Sequence, residues 1–340
     1  MRWQFSFSLG SCDMFYAQES KKRGIGIMAL WIILIIVTLL LAVCFILLLL
    51  NLKSSPVPDL SAPEQIKGTR WEPYARTLEE NISRIREYPW EDVWITSHDG
   101  LRLHGQVLHG SSDRTVLLAH GYRSSGENDF CGLVDYYRKK NDTILMVDQR
   151  AHGKSEGKQL TFGIRERWDM TGWISYAVEN LPQELYLHGI SMGAVSLMMA
   201  LPLCKGFPIR GVIADSAYDN VRELLLYQAK RKYHLPAFPF YALISAEGFL
   251  LLGKSFSSLH AAACIAESNM PVLIINGTGD HTIPPGMAGK FTRARQVQYS
   301  CIEGARHGMC WLTAPEVYKA LLNQFIDGRK QDRQLSGNRF

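Results

Sequence analysis

The apolar positions of the chain fall into two patterns: one long unbroken block near the amino terminus, and a series of short β-branched runs after residue 90. From Gly24 to Leu50, 27 residues carry no charge and no amide, and Thr38 is the only polar side chain among them. At about 1.5 Å per residue this makes a helix of about 40 Å, longer than the roughly 30 Å hydrocarbon core of a bilayer. A cleaved signal peptide, the competing reading, has an apolar stretch of only about 7–15 residues and ends at a small-residue cleavage site. Here leucines run straight into Asn51 and Lys53. Residues 24–52 are therefore expected to be a transmembrane helix in contact with the lipid bilayer, preceded by a segment 1–23. Lys21, Lys22 and Arg23 on one flank, against a lone Lys53 on the other, predict a single-pass protein of the cell membrane. Its amino terminus lies in the cytoplasm and the rest of the chain outside it.

Residues 53–88 contain Pro56, Pro58, Pro63 and Pro73 among polar residues, the composition of a stalk that leads into a short helix over 78–88. Beyond it, apolar runs of strand length fall at 93–96, 101–108, 115–119, 143–147, 184–187, 209–214, 272–275 and 297–301. The first two flank the turn His98-Asp99-Gly100 and form a hairpin. From Thr115 the runs alternate with helical patterns at 127–140, 166–180, 194–203, 285–295 and 314–327. Such alternation specifies an α/β fold, a mostly parallel eight-stranded sheet with helices on both faces. Between about 217 and 268 the alternation gives way to a mainly helical stretch too long for a loop, which marks an inserted cap. The main domain is expected over 89–328, with a polar tail at 329–340.

Composition adds exclusions. With 47% hydrophobic and 20% charged residues the chain folds, and neither disorder nor a collagen repeat fits. A formal charge of +5 over 340 residues, without a basic stripe interleaved with aromatics, gives no support for nucleic acid as a partner. Of seven cysteines, Cys12 and Cys44 lie before or within the apolar block, which leaves an odd five and no C-x-x-C pair. Neither a disulfide framework nor a zinc site is expected.

The candidate chemistry centres on Gly189-Ile190-Ser191-Met192-Gly193, a G-x-S-x-G pattern that follows an expected strand and opens an expected helix. Small flanking residues permit a sharp turn that lifts the Ser191 hydroxyl above the sheet edge, with the backbone N–H of Met192 facing a developing oxyanion. A hydroxyl needs a histidine base, and the base needs a carboxylate to hold its tautomer. Asp280 follows the strand at 272–275, and His307 lies in Gly304-Ala305-Arg306-His307-Gly308 after the last strand. Asp215, at the end of the strand at 209–214, is the rival for the acid role; otherwise it shapes the pocket floor or bonds the loop 216–219. A second oxyanion donor is expected from the backbone N–H of Tyr122 in His120-Gly121-Tyr122, where Gly121 allows a tight turn. His120 reads as a structural neighbour, His281 as a loop residue, and His260 lies inside the cap.

Together these segments resemble the α/β-hydrolase superfamily over about residues 93–325. The markers are His120-Gly121, the run Asp148-Gln149-Arg150-Ala151-His152-Gly153-Lys154-Ser155, the serine elbow, and the Asp280 and His307 segments. Phe162-Gly163 followed by Glu166, Asp169 and Trp173 is similar to membrane-anchored bacterial hydrolases of the serine aminopeptidase-like, extended-esterase branch. Residues 166, 169 and 173 share one helix face and read as a polar anchor beside a buried tryptophan. Ala151 stands where many relatives have glycine, and the oxyanion loop has one glycine in place of three.

The resemblance implies a membrane-anchored serine hydrolase that cleaves carboxylic esters through an acyl-enzyme, with catalytic Ser191, Asp280 and His307. Tyr122 and Met192 form the oxyanion hole, and no cofactor or metal is required. The substrate is a small-molecule or lipid ester. Cap runs 235–241 and 249–252 are apolar, which suits an acyl chain or the cap's own core, and Lys230, Arg231 and Lys232 suit an anionic headgroup or a solvated face. Two alternatives stay open: a peptidase, whose ammonium site would need Glu223 or Glu247, and a non-catalytic binding protein on the same scaffold.

Overall fold

In the computed structural model the described residues are 10–234, 236–253, 255–256 and 260–328. The expected tail at 329–340, residues 1–9 and cap residues 235, 254 and 257–259 lie outside them. Helix α1 spans Gly10–Leu52, and its portion Gln18–Leu52 is long and apolar enough to cross a membrane. Two short helices, α2 (Pro63–Ile66) and α3 (Ala75–Arg86), precede the sheet.

The strands are β1 (Glu91–Thr96), β2 (Arg102–Leu108), β3 (Arg114–Ala119), β4 (Thr143–Val147), β5 (Glu184–Ile190), β6 (Ile209–Asp215), β7 (Val272–Gly277) and β8 (Val297–Ile302). They form one eight-stranded sheet in the order β1-β2-β4-β3-β5-β6-β7-β8. The β1–β2 and β2–β4 pairs are antiparallel and every other pair is parallel. Strands β3, β4 and β7 are buried at every position, as parallel strands covered on both faces must be, whereas edge strand β8 keeps polar residues in solvent.

Helices α4 (Gly126–Arg138), α5 (Glu166–Asn180), α6 (Met192–Ala200), α10 (Cys310–Thr313) and α11 (Pro315–Ile326) cover the sheet, α7 (Val221–Tyr233) and α8 (Phe240–Leu252) form the cap, and α9 (Ala261–Ser268) packs back on α6. Two apolar clusters lie on the two sides of the sheet. Trp173 of α5 is wholly buried; a Cβ at Gly105 of β2 would come within 2.9 Å of its ring, so the glycine makes its room.

Three departures from the sequence reading have local causes. Helix α6 begins at Met192, two residues early, and stops at Ala200 because Pro202 supplies no N–H to continue it. Pro285–Arg293, expected as an α-helix, is a 3₁₀ helix, and the closely spaced Gly286 and Gly289 remove α-helical preference there. The proline-bearing segment does not stand off as a stalk. Leu60 and Ile66 are buried, Asn128 accepts the Leu60 N–H and donates to the Pro58 carbonyl, and Lys53 bridges Gln159.

Candidate active site

Ser191 sits between β5 and α6 at φ 54°, ψ −118°, a conformation that few side chains adopt. Close packing holds it there. A Cβ on Gly189 would approach Ala194 Cα to 2.4 Å, and one on Gly193 would meet the Ala119 carbonyl at 2.1 Å, so both flanking positions must be glycine. The Ser191 N–H donates to the Asp215 carbonyl at 2.8 Å.

The loop after β8 brings His307 over the elbow, with Nε2 2.9 Å from Ser191 Oγ and Nδ1 2.7 Å from Asp280 Oδ2. Asp280 is buried after β7, and its other oxygen, Oδ1, accepts the backbone N–H groups of Thr282 and Ile283, both at 2.8 Å. Asp215 turns elsewhere. Its Oδ1 accepts from Ser216 Oγ at 2.8 Å, and Ser216 Oγ in turn accepts the Gly308 N–H at 3.0 Å, beside His307. Burial raises the Asp215 pKa to about 6.

Met192 is the first residue of α6, where an N–H has no acceptor within the helix. Tyr122 lies in the loop after β3, its ring stacked on Phe162 at 5.3 Å between centroids. Gly121 does not supply the special geometry expected of it. The left-handed residue is Arg123, at φ 52°, whose N–H donates to His152 Nε2 at 3.1 Å. Gly121 N–H donates to Asp129 Oδ2 at 2.6 Å, and Ser124 Oγ donates to Asp129 Oδ1 at 2.6 Å. Asp129, on α4, thus fixes the loop that carries Tyr122; burial raises its pKa. His120 is wholly buried, its pKa lowered by that burial, and it bonds the Gly121 carbonyl and the Gln149 N–H. Both histidine and carboxylate here are structural.

Ser191, His307, Gly121 and Met192 line a cavity of about 350 Å³. Tyr122, Phe162, Leu224 and Leu225 give it apolar walls, and Arg70, Arg123 and Lys232 bring positive charge. Burial lowers the pKa of Arg70, with Asp129 and Asp280 acting against it. Asn51, at the end of α1, also lines the cavity, as do Pro58 and Leu60. None of these was legible from the sequence: the Asn51 carbonyl is held by Tyr122 Oη, and Pro58 and Leu60 are held by Asn128 of α4.

The sequence leaves two roles open for the cap's apolar runs, lining an acyl pocket or packing the cap's own core. Among the described residues neither apolar run at 235–241 or 249–252 lines the cavity; α7 does so instead. Tyr227 and Arg231 of α7 bond the His281 carbonyl and Gln228 bonds the Thr282 carbonyl, which ties the cap to the Asp280 loop. His260 bonds Asp219 at 2.9 Å and anchors the start of α9. Glu223 is paired with Lys290, and neither Glu223 nor Glu247 lines the cavity. Arg150 binds both Asp99 and Asp169, so these carboxylates, which converge near His98, are already paired with a cation. Glu166 accepts the Thr161 and Gly163 N–H groups, the anchoring role expected of it. Ala151 adopts φ 63°, where glycine is unstrained.

Esterase Pf2001 of Pyrococcus furiosus superposes with a TM-score of 0.59 at 23% identity, over 81% of this chain and 98% of that one. The chain has the α/β-hydrolase fold. Other structures that share the α/β-hydrolase fold with it include Est1E of Butyrivibrio proteoclasticus, solved with ferulic acid, at TM-score 0.56, 18% identity and coverage of 69% and 97%. Esterase EaEST of Exiguobacterium antarcticum gives 0.54, 16%, and coverage of 70% and 100%. By sequence the chain is 24% identical to the uncharacterised protein YqkD of Bacillus subtilis over 228 residues, 65% of this chain and 73% of that protein. It is 27% identical to the uncharacterised protein YfhR of Escherichia coli K12 over 205 residues, 58% of this chain and 66% of that protein. No protein-family model matches.

Proposed function

We propose that the protein is a membrane-anchored serine hydrolase that cleaves carboxylic esters, with Ser191, His307 and Asp280 as its triad. The observation that carries this reading is the unbroken relay from Ser191 Oγ through His307 to Asp280, at 2.9 and 2.7 Å. His307 Nε2 takes the Ser191 proton as Oγ attacks the acyl carbon, and Asp280 holds Nδ1–H and stabilises the imidazolium. The amides of Met192 and Tyr122 receive the oxyanion, each such donor contributing on the order of 3 kcal/mol to the transition state. His307 returns its proton to the leaving alkoxide, and water then releases the acid from the acyl-enzyme. The chemistry needs no cofactor. The apolar walls Phe162, Leu224 and Leu225 suit the acyl part of a small-molecule or lipid ester.

Helix α1 is the anchor in this reading, and the basic flank Lys21, Lys22 and Arg23 supports an amino terminus in the cytoplasm. A peptidase that captures a free amino terminus is not favoured, because Glu223 is spent on Lys290. A fluorophosphonate probe tests the nucleophile: the full-length chain in detergent is labelled and Ser191→Ala is not. Equal labelling of the two proteins would exclude Ser191.

A further inference from the structure

The cap helix α8 has no part in the hydrolytic reading, and its outer surface is unusual. Its exposed residues are Ala242, Ala246, Phe249 and Leu250, spaced i, i+4, i+7, i+8 on one face and apolar throughout. Phe249 is 55% and Leu250 82% exposed, and Phe238 in the preceding loop is 81% exposed. A cap helix facing water would carry charge on that stripe. The one charged residue of α8, Glu247, instead lies near Cys44 of α1.

What covers the stripe follows from what α8 packs on. Helices α1 and α8 lie side by side. Among the described side chains of α1 the buried ones are Cys44, Leu48 and Leu52, an i, i+4, i+8 seam along its last turns. The apolar block of α1 is about 40 Å long against a hydrocarbon core of about 30 Å, so roughly its last seven residues rise into the interface. Those are the turns that α8 accompanies. Lys230, Arg231 and Lys232 at the end of α7 are exposed just before this apolar stretch, the basic rim of an interfacial helix. The active site sits at the same level. Tyr122 Oη donates to the Asn51 carbonyl at 2.7 Å, Arg123 donates to the Leu50 and Lys53 carbonyls, and Leu160 N–H donates to the Leu52 carbonyl at 2.7 Å. The loop that carries the oxyanion donor therefore caps the end of α1.

We propose that α8 and residues 236–238 lie in the headgroup–acyl boundary of the bilayer that α1 crosses, and that the cavity fills from the membrane with a long-chain lipid ester. The substrate half of this rests on the hydrolase reading, and the membrane half rests on α1 as the anchor.

The full-length chain in phosphatidylcholine–phosphatidylglycerol vesicles separates the two. A nitroxide on Leu250→Cys, in a background with Cys12, Cys264 and Cys301 replaced, is expected to collide with lipid-soluble oxygen in preference to a water-soluble nickel complex. Preference for nickel would overturn the membrane contact, and so would spin–spin broadening, which would mean that a second copy covers the stripe. The double variant Phe249→Ser, Leu250→Ser is expected to turn over a long-chain ester held in the vesicles at least about tenfold more slowly, and p-nitrophenyl acetate within about twofold of the native rate. Equal rates of native and variant protein on the vesicle-borne ester would overturn delivery from the membrane. Should the native chain hydrolyse neither ester while the nitroxide sits in lipid, the hydrolase reading fails and the membrane contact stands.

Discussion

Replacing Asp280 by Asn tests the site at its most specific point. Asp280 uses one oxygen for His307 Nδ1, at 2.7 Å, and the other for two backbone N–H groups at 2.8 Å. Asparagine has the same shape but only one acceptor oxygen, and the two amides of Thr282 and Ile283 claim it. Its NH₂ then faces His307, so Nδ1 must accept and the ring proton moves to Nε2. An Nε2–H opposite Ser191 Oγ cannot take the serine proton. The wrong tautomer costs about 10⁴ in kcat, or about 5.5 kcal/mol of transition-state stabilisation, with KM nearly unchanged. Because both backbone bonds persist, the melting temperature stays within a few degrees of native. The assay is steady-state hydrolysis of p-nitrophenyl acetate by the full-length chain in detergent, beside a thermal melt. Truncation is avoided because Leu48 and Leu52 of α1 belong to the main apolar cluster. A variant that melts like the native protein and keeps kcat within about tenfold would refute the orienting role of Asp280. So would a larger loss from Asp215→Asn.

Asp215→Asn should leave kcat within about tenfold, since Asp215 bonds Ser216 and not the histidine ring. Its effect falls on stability and its sign is set by burial, which raises the folded-state pKa from 3.8 to about 6. As pH rises through this window the unfolded chain releases the Asp215 proton before the folded one does, and the native protein loses on the order of 3 kcal/mol. Denaturant melts should therefore show Asp215→Asn gaining on the native protein from about pH 4 to 6 and levelling above; a difference independent of pH would contradict this. Asp129→Ala removes the acceptor of Gly121 N–H and Ser124 Oγ and frees the loop that carries Tyr122. A fall in kcat of up to about 10² with KM within about threefold is expected; unchanged kcat in a folded variant would show that the loop needs no such support.

The parts of the site that were legible in the sequence are those whose geometry is written within a few residues. The elbow needs glycine at 189 and 193 because the chain folds back on itself between β5 and α6, and the Asp280 and His307 loops each follow an expected strand. Asp129 left no such trace. It lies in the first turn of α4 and reads as an ordinary helix-start acid, and only the path of the loop shows that it accepts Gly121 N–H. Arg70 and Asn51 were hidden for a stronger reason, since Arg70 reaches the cavity after a wrap past α4 that Asn128 holds, a contact across 68 residues of chain, and the Asn51 carbonyl is held there by Tyr122 Oη. The reading of residues 53–88 as a stalk erred because prolines among polar residues fix local stiffness but do not say what Leu60 and Ile66 pack against.

That wrap changes what the apolar block does. A stalk would decouple anchor from catalyst, so that any soluble ester could reach Ser191 from any direction. Instead four consecutive carbonyls at the end of α1, from Leu50 to Lys53, accept bonds from Tyr122, Arg123 and Leu160, and the loop that carries Tyr122 is fastened to the end of that helix. In the proposed reading the distance from membrane to nucleophile is then fixed by hydrogen bonds, not by a tether. A substrate whose acyl chain stays in the lipid while its ester reaches the cavity meets that fixed distance without leaving the membrane.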